Sequence, residues 1–259
     1  NTGTGADGSV TISTTQNINT AVLGSLRSTN ADGIVTTASS FGSATGGTTL
    51  TVASATGLAA GDEVLLINLQ GDSTNNGNKG NYEFLKIQSI STNTLTFTTA
   101  IQKIYGATTS NLVLTGQKVV VQRVPQWTTV TINAGGTLTA NDWNGSSGGV
   151  VVFRATGTVT VNASGAINAN ALGYRGGTGG GGTGGGANGE SYDGSFGSGG
   201  DDTFSGGTGE APGTSGGGSS SGYAAVSPAG TRGGGGGGGN TDGSGTSDGA
   251  GGGGGGGHG

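Results

Sequence analysis

Few residues in this sequence could do chemistry, and they lie far apart. His258 is the only histidine and sits in a glycine run near the end of the chain. A Ser–His–Asp arrangement would have to rest on it, and its neighbours in sequence supply no partner. Adjacent carboxylates, which could share acid–base work on a glycosidic bond, occur at Asp62-Glu63 and Asp201-Asp202. The first pair sits in "GDEV", ahead of an apolar run, which is an ordinary turn position. G-x-G-x-x-G strings are expected by chance where glycine is so dense, and no strand–helix context with Lys-Ser or Lys-Thr accompanies them. No enzyme is expected.

Calcium suits the remaining acids better. Glu190, Asp193, Asp201, Asp202, Glu210, Asp242 and Asp248 face only Arg175 and Arg232 in the last third of the chain, and hard cations take such oxygens together with backbone carbonyls. Asp193, Asp201 and Asp202 are the candidate ligands, with solubilising loop charge as the plainer alternative. No other cofactor is expected. Trp127 and Trp143 flank a set of short apolar strands and read as a core cap, with a sugar-stacking platform as the alternative. Tyr174 and Arg175 stand where the glycine-rich region begins. An arginine there can satisfy several carbonyls with its five-donor fork, so both are read as structural junction residues.

The elements that must hold these residues follow from composition and pattern. The chain has 259 residues, a net charge of −5, no Cys and no Met, and 64 Gly, of which 42 lie at or after Gly173. Absence of Cys excludes disulfides and thiolate metal sites. An acidic chain with scattered Lys and Arg argues against nucleic acid as a partner. No apolar run approaches the ~18 residues of a membrane-spanning helix. The opening "NTGTGADGSV" carries no charged-then-apolar leader, which suits a processed, exported protein at the cell surface.

Helical periodicity is missing, and β-branched residues dominate the first two thirds. "GSVTIST" puts Val10 and Ile12 on one face. Leu50 and Val52 alternate, "TGLAAGD" turns, and residues 64–69 form a nearly continuous apolar strand. "NYEFLKIQSI" places Tyr82, Phe84 and Lys86 on one face and Leu85 and Ile87 on the other. Leu95–Phe97 and "QKVVVQR" add strands, with Pro125 as terminator. Residues 40–125 thus read as a small antiparallel barrel or sandwich within an N-terminal β module, 1–126. From Val130 the strands shorten and are separated by small turn residues: Val130 and Ile132, Leu138, Val150 and Val152, Val159 and Val161, Ile167. That rhythm predicts a short parallel β-helix over 127–172.

Residues 173–259 cannot build an oily core. Their glycine runs, at 176–186, 216–218, 233–239 and just before His258, suit polyglycine II helices instead. These share the left-handed three-residue geometry of polyproline II. Lacking a Cβ, such helices pack closely enough to hydrogen-bond sideways, so peptide groups satisfy one another between neighbours. The expected fold is therefore all-β, with a barrel or sandwich module and a short β-helix followed by a polyglycine II bundle.

At the junction, "GGVVVFRATGTVTVNASGAINANALGYRGG" resembles bacterial and phage glycine-rich surface proteins, in which β-helical rungs step through Gly-[Tyr/Phe]-Arg-Gly-Gly into a glycine-rich domain. Upstream, "TLTVASATGLAAGDEVLLIN", "GNYEFLKI" and "VPQWTTVTINAGGTLTA" belong to the same pattern. The glycine-rich part is also similar to the receptor-binding tips of phage tail-fibre adhesins. That resemblance implies host contact through loops and nominates Tyr192, Phe196, Phe204 and Tyr223.

The expected function is structural and adhesive: a non-enzymatic extracellular protein, self-associating as a homo-oligomer or polymer in a surface fibre or layer. Its alternative is a receptor-binding adhesin that recognises a cell-surface glycan or protein. A Thr-rich ice-binding face would need a fixed Thr period, which the chain lacks.

Overall fold

The structure is a computed structural model that describes residues 3–175 and Glu190. Among these residues all regular structure is β-strand. The expected polyglycine II bundle, and with it Tyr192, Phe196, Phe204, Tyr223, Asp193, Asp201 and Asp202, lies outside the described residues.

The chain opens with β1 (Gly8–Ile12) and β2 (Thr15–Asn17), then runs through β3 (Val35–Phe41), β4 (Thr49–Val52), β5 (Glu63–Gln70), β6 (Tyr82–Ser91), β7 (Thr94–Phe97) and β8 (Lys118–Arg123). Strands β3 to β8 close into a barrel in the order β3-β4-β7-β6-β5-β8. Closure is the answer to short strands with one apolar face, because it leaves no sheet edge unpaired. Leu50, Val52, Val64, Leu66, Leu85, Ile87, Leu95, Phe97, Val119 and Val121 fill the interior. Buried polar groups in the connecting segments are paired. Asn68 donates Nδ2 to the Tyr105 carbonyl and to Gln117 Oε1, both at 2.8 Å. Asn111 Oδ1 accepts from the amides of Tyr105 and Gly106 at 2.6 and 3.3 Å.

Pro125, with no N–H to give a ladder, separates β8 from β9 (Gln126–Ile132), and there the architecture changes. β9 is followed by β10 (Thr137–Thr139), β11 (Arg154–Ala155), β12 (Val159–Val161) and β13 (Ala166–Ile167). These pair in parallel as two stacks: β9 between β1 on one side and β11 and β12 on the other, and β10 between β2 and β13. The first two turns of chain each contribute one strand to each stack, and the third gives β11 and β12 to one and β13 to the other, as in a β-helix. Val10, Ile12, Trp127, Val130, Ile132 and Leu138 are buried along it. The last described rung leaves Val159, Val161 and Ile167 exposed.

Two features differ from the sequence reading. β1 and β2 pair with β9 and β10, so residues 8–17 join the rungs and not the barrel that fills most of residues 1–126. The buried faces match, since Val10 aligns with Val130 and Ile12 with Ile132. Residues 150–153, expected as a strand, pair with nothing regular. They cover the junction instead: the Val150 carbonyl accepts from Gln122 Nε2 at 3.2 Å, and the Phe153 ring lies 4.8 Å from that of Trp127. Trp127 and Trp143 are both buried, so neither presents a stacking face to solvent.

Leu69–Gly80, Asp142–Gly145 and, among the later described residues, 171–175 and Glu190 belong to a second compact unit. Within it Trp143 meets Tyr174 edge-on at 5.6 Å, and the Tyr174 hydroxyl donates to the Leu69 carbonyl.

Gly136 turns the chain between β9 and β10, where a Cβ would lie 2.3 Å from the carbonyl oxygen of Ile12. That oxygen belongs to a neighbouring rung and cannot swing aside. Gly136→Ala should therefore cost about 1–3 kcal/mol by overpacking, read as a lower midpoint in denaturant unfolding. An unchanged midpoint would mean that the rungs are not this closely stacked.

Candidate ligand-binding surface

The site begins with β6. Its alternate residues Glu83, Leu85 and Ile87 point inward, so Tyr82, Phe84 and Lys86 stand on the outer wall. Tyr82 is 50% exposed and Phe84 41%. Their rings meet edge-on at 6.1 Å. Beside them on β5, Ile67 pairs with Tyr82, Leu65 with Phe84, and Glu63 with Lys86. The result is an apolar strip on a wall that would ordinarily be polar.

Two cations border the strip. Lys103 Nζ lies 4.9 Å from the centre of the Tyr82 ring, and Arg154 Cζ lies 4.6 Å from that of Phe84. Both distances fall within cation–π range. Lys103 and Lys86 are exposed. Arg154 is fixed by Glu63, which accepts from its Nε at 2.6 Å and its Nη2 at 2.9 Å. The hydrogen bonds it donates to Glu63, aided by the carboxylate's charge, raise the Arg154 pKa above its ordinary value.

Glu83 holds Lys103 from below. Its carboxylate accepts from the amides of Gln102 at 2.9 and 3.1 Å and of Lys103 at 2.7 Å, and from the Tyr105 hydroxyl at 3.0 Å. Burial, followed by the charge and hydrogen bond of Glu83, pushes the Tyr105 hydroxyl well above the usual phenol range. Tyr105 is thus a fixed donor and not a titrating group.

Behind Arg154 lies a buried polar network. Gln126 Nε2 donates to Glu63 at 2.8 Å. The Gln126 amide donates to Asp7 at 2.7 Å. Arg123 gives Nη1 and Nη2 to the two oxygens of Asp7 at 2.9 and 2.8 Å, Nε to Asp62 at 2.8 Å, and a further bond to the Asp32 carbonyl at 3.0 Å. The Asp32 carboxylate takes the Trp127 indole N–H at 2.7 Å and the amides of Leu23 and Gly24 at 3.0 and 2.9 Å. Burial opposes the Arg123 charge, but Asp7 and Asp62 outweigh it and its pKa is raised. Asp62 and Glu63, considered above as an acid–base pair, are therefore ion-pair partners of Arg123 and Arg154.

The junction residues make a separate arrangement in the second unit. Arg175 Nε donates to Glu190 at 2.8 Å, and the Glu190 amide donates to the Arg175 carbonyl at 2.8 Å. Gln70 Nε2 reaches the same carboxylate at 3.2 Å. Burial pushes the Glu190 carboxyl up, but hydrogen bonds from Arg175, Trp143 and Gln70, with the Arg175 charge, outweigh it and hold the group below its ordinary 4.5. Among the described residues no three His, Asp or Glu side chains converge on a point suited to a metal. No helix among them is long and apolar enough to cross a membrane.

No protein-family profile and no curated protein matches the chain. Solved structures similar to this chain include phage tailspikes. They include the tailspike gp49 of Pseudomonas phage LKA1, with 16% identity and a TM-score of 0.27 over 52% of this chain and 27% of that one. The Gp54 tailspike of Acinetobacter baumannii bacteriophage AP22, solved with A. baumannii capsular saccharide, shares 14% identity with a TM-score of 0.28, over 60% of this chain and 25% of that one. The tailspike gp61 of Pseudomonas phage phi297 shares 19% identity with a TM-score of 0.26, over 68% and 26% respectively. This chain therefore spans about a quarter of the length of each.

Two outcomes follow from the ion pairs. Arg123→Met leaves Asp7 and Asp62 buried without their cation and should cost about 3–5 kcal/mol in urea unfolding. A loss below about 1 kcal/mol would show that the network is solvated. For Glu190, whose folded pKa lies below 4.5, the stabilisation is present above that value and lost as the pH falls through the folded value. The melting-temperature gap between wild type and Glu190→Gln should be open at pH 7 and close as the pH drops below 4.5. A gap that persists in acid would contradict the assignment.

Proposed function

We propose that this chain is a non-enzymatic extracellular surface protein that recognises a glycan on another surface. One observation carries the reading: Tyr82 and Phe84 stand exposed, side by side, on the outer wall of a closed barrel. Aromatic rings offer a large apolar face at little cost in conformational freedom, and the C–H faces of sugar rings fit such a surface. The barrel supplies rigidity, since the same strand fills the core with Leu85 and Ile87. The carboxylates nearest the strip support a binding role over a hydrolytic one. Glu63 is held by Arg154 and Gln126, and Glu83 by two amides and the Tyr105 hydroxyl.

A self-associating subunit is the second reading. It is favoured by the exposed Val159, Val161 and Ile167 at the end of the rungs. Micrographs and sedimentation of the purified chain separate the two: long regular polymers, dispersed by Val159→Thr with Val161→Thr, support the subunit, and single particles that bind cells support the adhesin.

Tyr82→Ala combined with Phe84→Ala should weaken binding to a glycan-bearing surface by about tenfold, with the thermal midpoint nearly unchanged because both rings are half exposed. Undiminished binding by a folded double variant would place recognition elsewhere in the chain.

A further inference from the structure

The cations around the strip narrow the ligand. We infer that the Tyr82–Phe84 face takes an acidic glycan, one whose sugars carry carboxylates, with a sugar ring against the aromatic pair and its carboxylate on Lys103 and Lys86. This inference rests on the glycan reading above and specifies its substrate class.

The charge pattern is local and runs against the rest of the molecule. The chain as a whole carries −5, yet the strip is bordered by Lys86, Lys103 and Arg154. Arg154 is spoken for, because both Glu63 oxygens accept from it. Glu63 also stands opposite Lys86 in the strand register, but its carboxylate is already occupied by Arg154 and Gln126. Glu83, the one acid of β6, points inward and accepts from Gln102, Lys103 and Tyr105. Among the described residues, the exposed ammonium groups of Lys103 and Lys86 are thus the charges that face solvent at the strip. They stand near opposite ends of the aromatic pair, with Lys103 over Tyr82 and Lys86 two residues beyond Phe84.

Each part of that arrangement has a chemical counterpart in an acidic sugar. The rings meet the apolar face of the pyranose, and a compact ammonium with rotatable donors meets a carboxylate. A neutral glycan would use the rings and leave both ammonium groups without a counter-ion. Single-stranded nucleic acid also combines stacking with negative charge, but it needs a continuous basic track along its backbone. The chain has only nine Lys and Arg against fourteen acids.

The test uses the full chain and immobilised alginate, polygalacturonate and hyaluronate, each alongside its carboxyl-reduced form, with dextran and an oligothymidylate as controls. Binding to at least one acidic polymer is expected, with loss on carboxyl reduction and weakening as salt rises. Lys103→Gln and Lys86→Gln should each weaken it by about two- to fivefold at low salt. Equal binding to an acidic polymer and its reduced form, or binding to dextran alone, would overturn the acidic specificity and leave glycan recognition standing. Binding to oligothymidylate alone, or to none of the polymers, would overturn both. Near-surface lysines rarely decide folding, and a thermal midpoint within a few degrees of wild type certifies the variants.

Discussion

One guanidinium ties the two architectures of this protein together. Arg123 ends the last barrel strand, and its donors reach Asp7 before the first rung, Asp62 ahead of β5, and the Asp32 carbonyl between β2 and β3. The group is almost wholly buried. Removing its charge from water is expensive, and the arrangement stands because each nitrogen of the fork donates to an oxygen. The chain must therefore bring segments over a hundred residues apart into one place before the charge is satisfied. Pro125, two residues on, releases the chain from the barrel and sends it into β9 as the middle strand of the parallel stack.

That constraint reaches the surface. Asp7 accepts from the Gln126 backbone amide, and Glu63 accepts from both Gln126 Nε2 and Arg154. Arg154 ends over Phe84. A side chain at the rim of the rungs is thus placed on the barrel wall through groups that are each paired. The acids along this path, Asp7, Asp62 and Glu63, are ion-pair partners of Arg123 and Arg154. Beside them the barrel wall leaves Tyr82 and Phe84 open to solvent with Lys86 and Lys103 near the ends of the pair, the surface proposed above for binding.

Much of the strand order was legible because alternation is a local signal. Val10 with Ile12, Leu50 with Val52, and Tyr82, Phe84 and Lys86 opposite Leu85 and Ile87 all lie on the faces their spacing assigns. Which side of β6 would look outward was not legible, since both sides are apolar and only the interior of the closed barrel decides it. β3 reads "VTTASSF", too poor in large apolar residues to announce a strand, yet it closes the barrel between β4 and β8. The β1–β9 pairing joins residues that turn chemistry cannot connect. The Arg123 network joins Asp7 across 116 positions and Asp32 across 91, so nothing in a short window points to it. The apolar run at residues 150–153 differs for the opposite reason: it lies half-buried as a cover for the junction without pairing as a strand.

If Arg123 locks barrel and rungs into one cooperative unit, they should open together. Native-state hydrogen exchange of the whole chain measures this most directly. The amides of Val130 and Ile132 in the rungs, of Leu85 and Leu95 in the barrel, and of Gln126 at the junction should converge on one opening free energy as denaturant is added, equal to that of global unfolding. Rung amides that open at a clearly lower free energy, while barrel amides stay protected, would contradict the account.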